Sequence, residues 1–142
     1  MEVIDIILFK PNSELSTKMP FFEMSVSAGI PVPVENDLQT EVDLNEYLVD
    51  HPATTFFAKV SGLNMQSYGI RDGDILIVDS SIVPNDGRLV LASMGNDLTV
   101  KIYREIDNEV YLESGNSKFL PLNIGEIEFN ILGTVTKIIH SV

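Results

Sequence analysis

The sequence predicts a mainly β protein, an antiparallel domain of sandwich or rolled-sheet form with one or two very short helices. Three observations support this prediction. Apolar, β-branched stretches alternate with turn signals along most of the chain. The turns recur about every eight to twelve residues, a spacing typical of antiparallel strands. The length of 142 residues suits one compact domain.

The predicted strands fill most of the chain after residue 54. They cover residues 4–9, 55–61, 75–79, 89–94, 98–103, 109–113 and 128–139. Turn-forming residues separate several of them. These predicted turns are Arg71-Asp72-Gly73-Asp74, Asn85-Asp86-Gly87 and Gly95-Asn96-Asp97.

Two short helical segments are predicted from their capping residues. Asp43 and Glu46 form a capping-box pattern that opens a helix through Leu48 or Val49, and His51 before Pro52 ends it. Farther along, Asn64 is predicted as the N-cap of a single helical turn, with Gly69 as its terminator.

The chain divides near residue 29 into an N-terminal arm, residues 1–28, and a β domain, residues 29–142. Residues 25–33 are small and proline-bounded, and proline pushes the preceding residue towards extended geometry. An extended segment can pair with a strand edge in the cleft of a protease. Taken alone, the segment is more typical of a plain linker, and both interpretations stay open at this point.

Composition restricts the function. The net charge is −12, with 9 Lys and Arg against 21 Asp and Glu, so direct DNA binding is disfavoured. An acidic surface gives solubility and can suit basic protein partners. The chain has no cysteine, and His51 and His140 have no ligand spacing, so we expect no metal and no cofactor. Residues 1–10 resemble neither a membrane span nor a signal peptide, so we expect a cytoplasmic protein.

Three segments together resemble the LexA/UmuD-type self-cleaving serine–lysine peptidases. The family patterns are a scissile Ala-Gly pair, Ser-Gly-x-Ser-Met, Gly-Ile-x-x-Gly-Asp, and a strand that carries a lysine. The first segment is Ala28-Gly29. The second is Ser61-Gly62-Leu63-Asn64-Met65 with its continuation Gly69-Ile70-Arg71-Asp72-Gly73-Asp74, and the third is Leu98-Thr99-Val100-Lys101. The separation between positions 64 and 101 is also that of the family, and the likeness covers nearly the whole chain.

The resemblance implies a homodimer with the rolled LexA/UmuD-like fold. It places Asn64 at the nucleophile position, which is serine in the family, and Lys101 as general base. It implies self-cleavage between Ala28 and Gly29, stimulated by a RecA filament, which removes the arm. The product would be the accessory subunit of an error-prone Y-family polymerase in translesion synthesis.

Within this family the UmuD-type SOS mutagenesis proteins fit better than LexA, which carries a DNA-binding domain before its scissile pair. The arm residues Pro20, Phe21 and Phe22 lie where such proteins are thought to contact the sliding clamp. A plain hydrophobic anchor for the arm is the alternative interpretation of these three residues.

The chemistry explains why a lysine must accompany the serine. A hydroxyl is a poor nucleophile until a base takes its proton, and a lysine is a base only after burial has lowered its pKa from about 10.4. Alternation along the predicted strand puts Lys101 on the face of Thr99 and Tyr103. That face is either the apolar setting a base needs or an ordinary solvent-exposed face.

Asn64 cannot act as the nucleophile, because its amide nitrogen is not usable for peptide hydrolysis. Ser61 and Ser67 lie nearby, but each would need a different backbone to reach the same point. Three hypotheses follow. In the first, Asn64 is a replacement that traps an uncut autopeptidase. In the second, the protein acts only by binding partners. In the third, the chain is the regulatory domain of a LexA-like or phage repressor.

Overall fold

The computed structural model describes residues 3–5, 18–22, 28–31, 39–62, 65–114, 120–121 and 129–142. Within these ranges the chain is mainly antiparallel β structure. The first five elements in chain order are β1 (Val3–Asp5), β2 (Lys18–Phe22), β3 (Gln39–Asp43), α1 (Leu44–Leu48) and β4 (Thr55–Ser61). A 3₁₀ helix (Gln66–Tyr68), β5 (Ile75–Asp79), β6 (Leu89–Met94), β7 (Asp97–Ile106), β8 (Glu109–Glu113), β9 (Leu120–Pro121) and β10 (Phe129–Ile139) follow.

One eight-stranded sheet, in the order β1-β4-β5-β10-β6-β7-β8-β9, forms the body of the protein. A separate two-stranded sheet joins β2 to β3. The predicted bounds of β4, β5, β6 and β8 are confirmed. The prediction for β7 was too short, because the strand runs to a tight turn at Asp107 and Asn108, whose φ values of 53° and 65° close the hairpin with β8.

The remaining strand predictions have mixed outcomes. The strand predicted over residues 4–9 overlaps β1, and its residues 6–9 lie outside the described residues. Strand β10 confirms the last prediction over its described part. The short β9 was not predicted, since two residues carry too little alternation to be recognised.

Both short helical segments exist, with one correction. The Asp43 side chain accepts the Asn45 N–H at 3.0 Å and so caps α1 as predicted. The 3₁₀ helix, however, has Met65 rather than Asn64 at its N-cap, with no side-chain capping bond, so the prediction for Asn64 was wrong. Met65 is buried in the core, and this packing fixes the start of the helix without a capping hydrogen bond. Gly69 ends the helix with a φ of 82° as predicted.

The sheet curls around one main core. This inner core contains residues from β4 and β5 together with residues from β6 and β7, although β10 lies between these two pairs in the sheet. Its buried members are Ala58, Val60, Met65, Ile70, Leu76, Val78, Leu91, Val100, Ile102 and Val135. A second, smaller cluster of Val90, Ala92 and Leu112 covers the opposite face of β6 to β8. The predicted rolled antiparallel domain is therefore confirmed.

Two irregularities in β10 let the sheet bend. Its register shifts between Ile131 and Gly133 against β6, and between Val135 and Lys137 against β5. Bulges of this kind increase local twist and curvature.

None of the helices in the described ranges has the length and apolar character needed to cross a membrane.

Gly133→Ala tests how closely β10 packs on β5. An added Cβ would lie 2.6 Å from Val78 Cγ1 and 3.1 Å from the Asp79 carbonyl oxygen. We expect the substitution to lower the free energy of unfolding by about 1–3 kcal/mol, because the strands would have to separate. Urea unfolding measures this loss. Asn130→Ala, at an exposed position of the same strand, is the control, and equal small effects of both changes would contradict the close packing.

Candidate functional site

The segment between β4 and the 3₁₀ helix contains the predicted nucleophile position. Asn64 itself lies outside the described residues, but the chain on both sides of it is fixed. On one side, the Gly62 N–H donates to Asp72 Oδ1 at 2.9 Å. On the other side, Met65 is 2% exposed in the inner core. Gly62 has a φ of 117°, which L side chains rarely adopt, and this explains the glycine at this position.

The turn that supports this segment is the predicted one at residues 71–74. The Asp74 N–H donates to the Arg71 carbonyl at 3.0 Å, which closes the turn. The Gly73 N–H donates to the Val60 carbonyl and the Val60 N–H to the Asp74 carbonyl, both at 2.8 Å. These bonds carry the pairing of β4 beyond the first residue of β5.

Asp74 anchors the turn to the end of β10. The carboxylate is buried, and its Oδ2 accepts the Arg71 N–H at 2.8 Å. Its Oδ1 lies 2.7 Å from His140 Nδ1. If Nδ1 carries the proton that is donated to Asp74, then Nε2 accepts from the Arg71 guanidinium, 2.5 Å away. One histidine thus joins a buried carboxylate to an arginine.

The electrostatics of Asp74 follow from these contacts. Burial raises the pKa of the carboxyl, but the hydrogen bonds from the Arg71 backbone and the His140 ring outweigh burial and lower the pKa below its ordinary value. Sequence reasoning identified Asp74 only as a turn residue and missed His140. The signal was absent because the two residues are 66 positions apart.

A cleft of about 590 Å³ lies beside this cluster and beside the 3₁₀ helix. Four polar or charged side chains line it together with one glycine and one isoleucine. The lining residues are Gln66, Arg71, Asp72 and His140, with Gly69 and Ile138. Gln66, the first residue of the 3₁₀ helix, lines the cleft and is two residues after position 64 in the sequence. Among the described residues, no group of three or more His, Cys, Asp or Glu is arranged to hold a metal ion.

Lys101, the predicted base, is half-buried on β7. Its direct neighbour across the strand pair is Val90, which is fully buried in the second cluster. Thr99, on the same face, is 6% exposed and Tyr103 is half-buried. This face of β7 is therefore partly covered by protein, and the role of Lys101 as a base stays a prediction.

The structure packs Met65, the residue after position 64, into the core beside the strand that carries Lys101. Met65 belongs to the same buried core as Val100 and Ile102, the two neighbours of Lys101 on β7. Met65 packs on the face opposite Lys101, so it fixes the backbone next to position 64 without setting the direction of the Asn64 side chain. The pairing of Asn64 with Lys101 stays a prediction.

A polar contact adds a second link between the 3₁₀ helix and β7. Tyr68 interacts with Glu113 on β8, and Glu113 accepts the Arg104 Nε–H at 2.8 Å. Burial, followed by the hydrogen bond and the negative charge of Glu113, raises the pKa of Tyr68. The segment after position 64 is thus tied to β7 and β8 by apolar and polar contacts.

The predicted cleavage pair lies away from packed structure. Ala28 and Gly29 are exposed, and the following Ile30 is 81% exposed. Gly29 has a φ of 113°, which only glycine adopts readily. In the chain, the pair lies in the connection between β2 and β3, two antiparallel strands. The described residues 28–31 are therefore not seated in a closed cleft.

The predicted clamp-contact residues lie on β2. Pro20 is exposed and pairs with Glu41 on β3. Phe21 and Phe22 pair in register with Thr40 and Gln39, while the side chains of both phenylalanines lie outside what the structure describes. A clamp contact stays a prediction.

A second histidine–aspartate pair fixes the start of β4 to the end of β5. His51 Nδ1 lies 2.6 Å from Asp79 Oδ2, and Asp79 Oδ1 accepts from the Thr54 hydroxyl at 2.7 Å. Burial raises the pKa of Asp79, but hydrogen bonds from Ser81, Thr54 and His51 outweigh it and hold the pKa well below its usual range. His51 is a turn residue as predicted, and it also has this structural partner.

Comparison with known proteins gives a consistent family. A sequence profile of the Peptidase S24-like family matches residues 20–136. Protein SamA of Salmonella typhimurium is 32% identical over 136 residues, 95% of this chain and 95% of SamA. Protein MucA of Escherichia coli is 42% identical over 83 residues, 58% of this chain and 57% of MucA. The LexA repressor of Colwellia psychrerythraea is 35% identical over 118 residues, 82% of this chain and 56% of the repressor. The matches thus span less than two thirds of MucA and of the LexA repressor.

Asp74→Asn tests the buried anchor. The pKa of Asp74 is lower in the folded protein than its unfolded value of about 3.9, so its contribution to stability is present above that pH and is lost as the pH falls through the folded value. We expect the substitution to reduce the free energy of unfolding by about 1.5–3 kcal/mol at pH 7 and to weaken its decline below pH 4.

Chemical denaturation across a pH series measures both effects. Asp50→Asn, at an exposed position outside the cluster, is the control. A substituted protein whose stability depends on pH like that of the unsubstituted chain would contradict the role given to Asp74.

Proposed function

We propose that this chain, which belongs to the Peptidase S24-like family, is a UmuD-type protein of the SOS response whose self-cleaving site is silent because Asn64 occupies the nucleophile position. The observation that carries the proposal is the environment of Lys101, half-buried on a partly covered strand face beside the fully buried Val90. In the chemistry of the family type, a positioned lysine acts as the general base, and the spacing of the motifs gives Lys101 that role.

The chemistry of the family type needs a hydroxyl at position 64. The neutral lysine would take the serine proton, and the serine oxygen would attack the Ala28 carbonyl carbon to form a tetrahedral intermediate. The Ala28–Gly29 bond then breaks, and the lysine returns the proton to the Gly29 amine. Water hydrolyses the resulting ester of Ala28. Asn64 offers no comparable oxygen nucleophile, so none of these steps begins in this chain.

Ala28 and Gly29 are exposed in the structure. In our proposal, the chain around them must therefore move into the self-cleaving site before it can be cut. Residues 28–31 are exposed and free to take the extended form that pairs with a strand edge. In our proposal, contact with a RecA filament favours this delivery. Gly29 allows close approach of the scissile carbonyl because it lacks a Cβ atom.

The proposed product is a homodimer that acts as accessory subunit of a Y-family polymerase in translesion synthesis. The net charge of −12 supports action through protein partners rather than direct DNA binding. The β2 residues Pro20, Phe21 and Phe22 are the proposed clamp contact. In the uncut chain they pair with β3, so part of the arm is held by strand pairing.

A second candidate is a protein of the same fold that works only by binding partners. Asn64 itself favours this candidate, because it removes the nucleophile while the glycine, the turn and the lysine are all retained. The regulatory domain of a LexA-like repressor is a further alternative, supported by the match over 82% of this chain.

Asn64→Ser tests the proposal directly. We expect the substituted protein to cut itself between Ala28 and Gly29, faster as the pH rises, because the base must be deprotonated. Intact-mass measurement over time at mildly alkaline pH, with and without RecA filaments on single-stranded DNA, detects a fragment beginning at Gly29. Asn64→Ser combined with Lys101→Ala is the control, and it should stay intact.

The outcomes separate the candidates. Cleavage that depends on Lys101 supports a trapped serine–lysine autopeptidase. An unchanged mass under all conditions would count against the enzyme proposal and favour a protein that only binds partners. Cleavage that persists without Lys101 would remove the role given to the lysine.

A further inference from the structure

We propose that Asp72 is a positioning residue of the self-cleaving site, which fixes the backbone at Gly62, two residues before the proposed nucleophile position. The proposal rests on the proposed function and adds a residue to it. Asp72 touches no reacting atom in this proposal. It acts through the backbone of the segment that carries the nucleophile position.

The contact that carries the inference is the hydrogen bond from the Gly62 N–H to Asp72 Oδ1, 2.9 Å long. It joins the β4 end of the segment to the turn at residues 71–74. Gly62 lies two positions before Asn64, and its φ of 117° takes the chain out of regular strand geometry. A carboxylate is a strong acceptor for such an amide.

The position of this bond shows why a side chain is needed. Regular pairing of β4 with β5 ends at Lys59 opposite Ile75. Val60 then exchanges two backbone bonds with Gly73 and Asp74. After Val60, the next N–H on the side of β5 belongs to Gly62, one residue past the end of β4. Where a longer β5 would offer a backbone carbonyl, the Asp72 carboxylate accepts this N–H. Asp72 thus continues the ladder with a side chain.

The support under Asp72 is rigid. The turn that carries it is closed by the Asp74 N–H bond to Arg71 and is anchored through Asp74 to His140 on the opposite side. Asp72 itself is exposed and lines the cleft. Its carboxylate therefore contributes little to the core, while it fixes one end of the segment; the buried Met65 fixes the other.

The expected consequence is on rate rather than on folding. A misplacement of about 1 Å can cost about a hundredfold in rate, because the attacking atom must meet the carbonyl in one geometry. Without the Asp72 acceptor, the chain would lose its hydrogen bond at Gly62, and we expect the nucleophile of the Asn64→Ser chain to be placed less well for attack.

The experiment uses the full chain with Asn64→Ser as the cleaving background. We expect Asp72→Ala to slow self-cleavage about ten- to a hundredfold. Asp72→Asn keeps the Oδ1 acceptor and should stay within about threefold of the background. Asp86→Ala is the matched control, because Asp86 Oδ1 accepts the Glu105 N–H at the same distance of 2.9 Å at another exposed turn.

The pH profile separates positioning from a general loosening of the fold. Asp72→Ala should lower the plateau rate and leave the midpoint of the profile unchanged, since the surroundings of Lys101 are intact. The proposal is overturned if Asp72→Ala slows cleavage no more than Asp86→Ala. It is also overturned if Asp72→Asn is as slow as Asp72→Ala.

A second measurement does not depend on cleavage. In the chain that keeps Asn64, amide hydrogen exchange at Gly62 should become about tenfold faster or more with Asp72→Ala, and should change little with Asp72→Asn. Unchanged exchange at Gly62 would overturn the proposal. If exchange responds as expected while the Asn64→Ser chain never cuts, the positioning contact stands and the proposed enzymatic function fails.

Discussion

Strand β10 is the constraint on which the rest of the structure depends. It pairs with β5 on one side and with β6 on the other, and so joins the half of the sheet that carries the segment around position 64 to the half that carries Lys101. Its two register shifts bend the sheet, and Gly133 lets the strand lie against β5 without a Cβ atom between them. The curl that results places Met65, which follows β4, and Val100 of β7 in one buried core, although β5, β10 and β6 lie between β4 and β7 in the sheet.

Buried carboxylates hold the ends of β5, the strand next to β10. Asp74 fixes the turn before β5 to His140 at the end of β10, and Asp79 fixes the last residue of β5 to His51 and Thr54 before β4. Each carboxylate is 2% exposed and fully provided with donors, which is how a buried charge is tolerated in a small domain. The same anchors make the turn at residues 71–74 a firm base for the segment that carries Asn64.

Position 64, where the resemblance implies a serine, holds asparagine in this chain. Capping does not explain it, because Met65 and not Asn64 is the N-cap of the 3₁₀ helix. The chain keeps Gly62 at its unusual φ, the supporting turn and a lysine on a partly covered strand face, all of which are independent of the side chain at position 64. The architecture of the site can therefore persist without the nucleophile, and a single substitution is enough to ask whether the chemistry persists as well.

The sequence by itself determined the local structure of this protein. Alternation, β-branched residues and glycine turns predicted β4, β5, β6 and β8 with their bounds, and the order and spacing of motifs indicated the family, because these signals lie in adjacent residues. Only the tertiary structure decided the contacts between distant residues. The contact of His140 with Asp74 depends on β10 lying beside β5, and the bond from Gly62 to Asp72 depends on where the pairing of β4 with β5 ends. The partial cover over the Lys101 face comes from the second cluster on β6 and β8. Such contacts leave no periodic trace in the sequence, because packing and not propensity brings their partners together.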